Sequence, residues 1–292
     1  MKKTKFYIFI TVILLILSGI GISVIFKLSP EVKENNSEEI IADVPVELSE
    51  EQKLWKANHD INKDYVGQII FDSGLINLPF VQAKSVYKDN GEPYVFYDEA
   101  GNLVTDVDYY TGNDVYIWTN WKTGKYDYND EGGSVFMDYR NELIDQNLII
   151  YGHHFSVWND ESRSKAFTPL EKLLEKENYE GNEKLSLILE KEKRTYELWA
   201  VYEFNYSDID DLEKLQYWRT NYSFDDFNNE YDENYTQRYI DTVEAKRLYD
   251  TGVTLSKNDE TLTLQTCISG FTGVKYEIIV FKLCNTEKWL IN

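Results

Sequence analysis

Short runs in which apolar and polar residues alternate recur through most of this chain, with Gly, Asn and Asp between them. Alternation with a period of two is typical of strands that bury one face. Helical periodicity is less common and occurs at 170–174 and from about 225 to 249. These patterns predict a mainly antiparallel β domain with peripheral helices. The predicted strands are 66–71, 78–83, 115–118, 134–137, 147–151, 185–189, 194–204, 261–267 and 276–283.

The N-terminal region has a different pattern. Residues 6–26 carry no charged side chain, and lysines lie on both sides of this run. A run of this length spans the hydrocarbon core of a bilayer as a helix, and the basic flank before it favours a cytoplasmic N-terminus. We therefore expect residues 1–27 to form an uncleaved transmembrane signal anchor. A cleaved signal peptide usually has a shorter apolar core and a small-residue cleavage site, so it fits this segment less well. The rest of the chain would then be an extracellular domain on a single-pass anchor in the cell membrane.

An acidic, proline-containing segment at 28–48 is predicted to link this anchor to the folded domain. Ser49 and Gln52 have the spacing of a capping box, so a helix should begin there and open a domain at 49–292. The 292-residue chain has a formal net charge of −21. Such a charge argues against binding nucleic acid, and it suits a domain that stands off a negatively charged cell envelope.

Cys267 is the candidate nucleophile because of its place at the end of a strand. Leu262 and Leu264 alternate with polar residues before it, so Cys267 should point away from the face that the leucines bury. Of three histidines in the chain, His153 and His154 follow another predicted strand. A thiol with a nearby imidazole is the minimal set of groups for cysteine nucleophilic catalysis. A neighbouring imidazolium would favour the thiolate, whose pKa is otherwise about 8.5.

The second cysteine, Cys284, ends an apolar run and is predicted to be a small buried side chain. The segments around the two cysteines read as a hairpin with Cys267 near the turn and Cys284 at the far end. Their separation would be on the order of 20 Å, which is too far for a disulfide. We expect two free thiols. His59 is predicted to be a surface or packing residue of the first helix of the domain.

Several motifs together resemble one known family. The segment 263–267, Thr-Leu-Gln-Thr-Cys, resembles the Thr-Leu-x-Thr-Cys signature of sortases. The blocks 133–141 and 150–154 are similar to class B sortases, as are 62–67 and the helical pattern before 248–252. The resemblance covers roughly residues 49–290. It implies an eight-stranded sortase-type β-barrel and a membrane-anchored cysteine transpeptidase of Gram-positive cells that works without a cofactor or metal.

In that family the enzyme cleaves a C-terminal sorting signal of a secreted protein after its threonine and holds the product as a thioester. It then passes the protein to an amine of a cell-wall precursor or a pilin. The resemblance implies that Cys267 is the nucleophile and that His153 is the acid–base residue, with His154 in a variable position. Thr266, next to the cysteine, is a candidate substrate-binding residue.

The chain departs from the family at its third catalytic residue, an arginine on the strand after the cysteine. No arginine follows Cys267 in this sequence, and Lys275 and Tyr276 occupy the region where it should lie. We expect Lys275 to take its place, with Arg247 or backbone N–H groups as alternatives. Lysine is a mobile point charge, whereas arginine holds an oxygen with a rigid fork of donors.

Two other functions are compatible with the same residues. One is a surface cysteine hydrolase on the same scaffold, which would use water as the normal acceptor. The other is an inactive sortase-like domain that binds sorting signals or wall components without turnover. The missing arginine is the feature that favours the inactive domain, while the presence of both Cys267 and His153 speaks against it.

Overall fold

Strands form a closed barrel in the computed structural model of this protein. The structure describes residues 48–88, 90–95, 97–98, 100–104, 111–126, 133–155, 165–208, 235–270 and 273–289. All of them belong to the unit Glu47–Asn292. The strands within these ranges are β1 (Tyr65–Phe71), β2 (Asn77–Val81), β3 (Phe136–Met137), β4 (Asn147–Tyr151), β5 (Lys184–Leu189), β6 (Glu192–Asn205), β7 (Thr261–Gly270) and β8 (Gly273–Lys288).

Around the barrel the strands run in the order β1-β2-β3-β4-β7-β8-β6-β5. Most neighbours are antiparallel, but β2 pairs with β3 and β4 pairs with β7 in parallel. The parallel pair brings the carboxyl ends of β4 and β7 to the same edge of the barrel. The eight-stranded barrel predicted from the family resemblance is confirmed, and eight of the nine predicted strand segments lie in it.

The two faces of the β7–β8 hairpin bury different clusters. Leu262 and Leu264 of β7 point into the barrel and pack in its main core. Tyr276 and Ile278 of β8 lie on the outer face, in a second cluster built around the fully buried Trp199. A helix, α3 (Tyr235–Lys246), covers this outer cluster with side chains that include Val243. The outer face is therefore partly closed by a helix.

The predicted strand at 115–118 is wrong, because these residues belong to the helix α2 (Gly112–Trp118). Thr111 starts the helix: its N–H donates to the Asp114 carboxylate over 2.7 Å, and the Asp114 N–H donates to the Thr111 carbonyl over 3.1 Å. A four-residue apolar run is too short for its period to separate a strand from a helix. The capping contacts before it decide the structure.

The first helix, α1 (Glu50–Ile61), begins as predicted. Ser49 Oγ accepts the Gln52 N–H over 3.2 Å, and Gln52 Oε1 accepts the Ser49 N–H over 2.9 Å. The helical pattern at 170–174 forms a 3-10 helix, Thr168–Leu174. Of the predicted helix at about 225–249, the described part is α3. The helices of the described ranges are too short or too polar to cross a bilayer. The predicted anchor at 1–27 and nearly all of the linker at 28–48 lie outside the described residues.

Candidate active site

The parallel pairing of β4 with β7 brings the histidine segment to the cysteine. Tyr151, the last residue of β4, is in register with Gln265 of β7. One residue later the Gly152 N–H still donates to the Gln265 carbonyl over 3.2 Å. His153 therefore leaves β4 at the level of Cys267, and neighbouring strands lie about 5 Å apart. The strand register thus places the backbone segments that carry the two residues side by side.

Gly152 is required by the packing beneath it. A Cβ atom at this position would lie 2.6 Å from the ring of Phe167, which belongs to the barrel core. The Phe167 N–H also donates to the His153 carbonyl over 3.0 Å. Contact with the core and this hydrogen bond fix the backbone on both sides of the histidine. The Gly-His sequence thus has a local structural cause, since any side chain at 152 would push His153 outward.

Cys267 lies on the outer face of the sheet, as the alternation predicted. Its register partner on β8 is Tyr276, and residues directly opposite on antiparallel strands share a face. The half-buried thiol packs against the outer cluster that contains Tyr276. Burial raises the pKa of the Cys267 thiol to about 11. The thiol is therefore protonated at neutral pH.

The His153 ring is held by α2. Its Nε2 lies 3.0 Å from the carbonyl oxygen of Ile117. A carbonyl only accepts, so Nε2 carries the proton and Nδ1 is the basic nitrogen of the neutral ring. Burial lowers the pKa of His153, and the hydrogen bond to Ile117 opposes this effect. Both members of the pair are thus neutral, and charge separation would have to accompany the reaction.

His154 and His59 have other partners. His154 Nε2 lies 3.1 Å from Glu171 Oε2 on the 3-10 helix Thr168–Leu174, and its side chain is nearly buried. The ring of His59 stacks on that of Trp55 at 4.5 Å between centroids, on α1. This agrees with the predicted packing role of His59. Both rings therefore have structural contacts of their own.

Lys275 is not brought together with Cys267. It is in register with Ile268, one position from the Cys267–Tyr276 pair, so the pleat directs it to the other face. Its ammonium lies 3.2 Å from Glu203 Oε2 on β6. The alternative, Arg247, binds Asp250 at 3.1 Å. A role for Lys275 at the reacting carbonyl stays a prediction that its observed contacts do not support.

Thr266 also lies away from the thiol. It is 2% exposed and in register with Glu277, a pair that points to the inner side of the sheet. Its hydroxyl oxygen has no hydrogen-bond partner in the described residues. A residue in this position can support the strand behind Cys267. Direct contact with a substrate on the outer face would need the strand to rearrange.

Both cysteines are free thiols, as predicted, but the predicted burial of Cys284 is wrong. Its side chain is exposed, with Sγ 3.7 Å from Glu197 Oε2 on the neighbouring strand. The residue before it, Leu283, still packs against the barrel core, and β8 remains paired with β6 as far as Lys288. Cys284 lies where the register between β6 and β8 shifts, between Leu283 and Asn285.

The block at 138–141 builds the turn that leads into β4. Asp138 is fully buried, and its carboxylate accepts from the Arg140 guanidinium at 3.0 Å and from the Tyr151 hydroxyl at 2.9 Å. Asn141 Oδ1 accepts the N–H of Ile149 over 2.8 Å. These contacts anchor the middle and the end of β4. The motif is thus a positioning element for the strand that delivers His153.

Sequence reasoning missed two parts of the site. The first is the Ile117 carbonyl that contacts His153, because residues 115–118 were wrongly predicted to form a strand. The second is the pairing of Tyr276 with Cys267, which depends on the exact register of β7 and β8, where a shift of one residue exchanges the two faces. The positive charge of Lys275, one position away, made it the predicted substitute for the arginine instead of Tyr276.

Comparison with known proteins extends these observations. The chain matches no family model. It is 27% identical to a sortase B of Staphylococcus aureus over 150 residues, which is 51% of this chain and 53% of that protein. It is 25% identical to a sortase B of Listeria monocytogenes over 241 residues, or 80% of this chain and 72% of that protein. The chain thus spans about half the length of the first of these relatives and a larger share of the second.

A solved structure shows the same relationship. Sortase B from Bacillus anthracis is 27% identical and superposes with a TM-score of 0.54, covering 80% of this chain and 85% of that one. The closed barrel is thus similar in fold to a sortase B. In sequence and in fold the chain is similar to class B sortases, the group that its motifs resemble.

Proposed function

We propose that this protein is a cysteine transpeptidase that cleaves a C-terminal sorting signal and transfers the released protein to an amine. The observation that carries the proposal is the register of β4 with β7, which sets His153 beside the strand end of Cys267. The similarity to class B sortases supports the same chemistry. The substrate would be a secreted protein, and the acceptor an amine of a cell-wall precursor or a pilin.

The first half of the reaction would form a thioester. As Cys267 Sγ attacks the carbonyl carbon of the threonine in the signal, its proton passes to Nδ1 of His153. The new C–S bond places an electron pair on the carbonyl oxygen. When this tetrahedral species collapses, the C–N bond breaks, and the leaving amine takes the proton from His153. General acid–base catalysis of this kind typically contributes about 10²–10⁴-fold to the rate.

The second half would reverse these steps with a different amine. His153 accepts a proton from the incoming amine, which attacks the thioester carbon, and the Cys267 thiolate leaves and is reprotonated. Because burial favours the neutral thiol and the neutral imidazole, the free enzyme would keep a weakly reactive thiol. The bound substrate would then promote the proton transfer that activates it.

The location in the cell follows from the N-terminal sequence. We propose that residues 1–27 anchor the chain in the cell membrane and that the acidic segment 28–48 links this anchor to an extracellular catalytic domain. The basic residues before the apolar run support this orientation. A membrane-held enzyme would meet secreted proteins as they leave the cell and wall precursors at the outer surface.

The purified full chain in detergent micelles allows a direct test. It would be incubated with a panel of fluorogenic peptides that carry sorting signals, with and without triglycine as the amine, and the products identified by mass spectrometry. Peptide joined to triglycine supports transpeptidation. Cleavage that yields only a free carboxylate, whether triglycine is present or not, would establish the hydrolase instead. If no peptide is cleaved while Cys267 reacts with iodoacetamide, the proposed activity is wrong.

A further inference from the structure

Tyr276 occupies the position across the strand from the nucleophile. On the outer face of the sheet, Phe204 of β6, Tyr276 of β8 and Cys267 of β7 follow one another in register. Side chains directly opposite one another on antiparallel strands have Cβ atoms about 4.5–5.5 Å apart. All three belong to or pack against the same outer cluster. The thiol therefore has the His153 segment on one side and the phenol of Tyr276 on the other.

Attack on a carbonyl by this thiol needs a hydrogen-bond donor for the oxygen that becomes negative. Fixed donors in a site that excludes water stabilise such a charge strongly. The two cationic candidates, Lys275 and Arg247, bind Glu203 and Asp250 instead. His153 Nε2 is occupied by the Ile117 carbonyl. A side-chain donor on the face of Cys267 would therefore have to come from another residue, acting alone or together with backbone N–H groups.

We propose that the Tyr276 hydroxyl donates a hydrogen bond to the carbonyl oxygen of the acyl group that Cys267 attacks, which makes Tyr276 a catalytic residue. This inference rests on the proposed acyl-transfer chemistry. When the C–S bond forms, the electron pair of the C=O π bond moves onto oxygen, and the Tyr276 O–H holds that charge without transferring its proton. When the C=O bond re-forms, the leaving group departs and the hydrogen bond weakens.

The position of Tyr276 suits this role for two reasons. The residue is only 8% exposed and its register position lies between Phe204 and Cys267, so packing leaves the ring little freedom. It also lies on the opposite side of Cys267 from the strand that carries His153. The base and the oxyanion donor can therefore reach a carbonyl at the thiol from two directions without competing for one place.

Two reagents separate this role from a structural one. Acylation of Cys267 by p-nitrophenyl acetate passes through a tetrahedral oxyanion, whereas alkylation by iodoacetamide does not. Both second-order rate constants would be measured on the full chain in micelles, with Cys267→Ala as the background. For Tyr276→Phe, which removes only the hydroxyl, we expect acylation to slow by about 10²-fold and alkylation to stay within about twofold. Tyr202→Phe, in the same cluster on β6, is the matched control and should change neither rate.

The outcomes are decisive. Unchanged acylation in Tyr276→Phe would overturn the proposal, and an equal fall in both rates would overturn it by showing that Tyr276 only positions the thiol. Circular dichroism and thermal unfolding would confirm that the variant keeps its fold. Selective slowing of acylation together with a failure to transfer any sorting peptide would uphold the role of Tyr276 and refute the transpeptidase function alone. Peptide transfer at the full rate by Tyr276→Phe would uphold the transpeptidase function and refute the role of Tyr276.

Discussion

The backbone N–H of Gly152 donates to the carbonyl of Gln265 over 3.2 Å, one residue beyond the last register pair of β4 and β7. This hydrogen bond extends the parallel pairing to the edge of the barrel. His153 follows the donor, and Cys267 lies two residues after the acceptor. The backbone segments that carry the imidazole and the thiol are thus held together by contacts between β4 and β7.

Replacement of the nucleophile tests the assignment of the two cysteines. We expect Cys267→Ala to abolish peptide cleavage and thioester formation while the fold survives, because the thiol is half-buried at the edge of a cluster. Cys284→Ala should keep full activity, since Cys284 is exposed near the C-terminal end of β8. Steady-state kinetics and mass spectrometry of the trapped acyl-enzyme would measure both. Turnover at the wild-type rate in Cys267→Ala would refute the assignment.

Substitution of the neighbouring histidines tests the choice between them. His153→Ala should lower turnover by about 10²–10⁴-fold, the usual contribution of a general acid–base residue. His154→Ala should lower it by less than about tenfold, because that ring is bound to Glu171. The pH dependence of kcat/KM for the wild-type protein would show which ionisation is lost. Equal losses at the two positions would mean that the wrong histidine was chosen.

A substitution at Gly152 tests the link between packing and catalysis. Gly152→Ala places a methyl group against the Phe167 ring, and overpacking of this kind typically costs about 1–3 kcal/mol of stability. We also expect kcat to fall, because the displaced backbone carries His153. Adding Phe167→Leu to the Gly152→Ala variant should restore part of the lost stability and part of the lost kcat. Urea unfolding would measure the first and steady-state kinetics the second. A Gly152→Ala variant with unchanged stability would show that the core yields freely at this point.

Glu277 predicts a pH dependence of stability. Its side chain is fully buried, neither carboxylate oxygen has a partner in the described residues, and burial, with Glu171 and Glu203 nearby, raises its pKa to about 8. In the unfolded chain the pKa of a glutamate is about 4.3. Between these values the folded state holds the proton and the unfolded state has lost it. The stability that this group contributes at low pH is therefore lost as the pH rises from about 4.3 to about 8.

Two variants test this dependence by urea unfolding at pH 5 and pH 9. Glu277→Gln keeps the shape of the side chain without an ionisable proton, so it should reduce the loss of unfolding free energy between the two pH values by an amount on the order of a few kcal/mol. Glu287→Gln, on the exposed end of the same strand, should behave as the wild type. An identical pH slope in wild type and Glu277→Gln would contradict the prediction.

Lys275→Ala tests the substitute for arginine that the sequence favoured. Because the Lys275 ammonium is held by Glu203 and is in register with Ile268 rather than Cys267, we expect turnover to change by less than about twofold. Glu203→Gln would release the ammonium and serves as the companion variant. A tenfold or greater loss of acylation in Lys275→Ala, with alkylation of Cys267 unchanged, would restore Lys275 as the oxyanion donor.

Local patterns in the chain were sufficient for much of the architecture. The alternation around Leu262 and Leu264 correctly predicted both the strand and the outward direction of Cys267, because a half-buried strand has to separate its two faces. The capping box at Ser49 was also predictable, because its contacts lie within four residues of the chain. The run at 115–118 was not, because its four residues are barely more than one helical turn and its capping contacts lie outside it.

The sequence by itself predicted the nucleophile, its histidine and the resemblance to class B sortases, because these predictions depend on residue types and their order along the chain. Only the tertiary structure decided which side chains accompany them. The pairing of β7 with β8 sets Tyr276 opposite Cys267 and turns Lys275 toward Glu203, although the two residues are adjacent. A shift of one residue in a strand register moves every side chain to the other face, and register depends on contacts between strands that no local pattern contains.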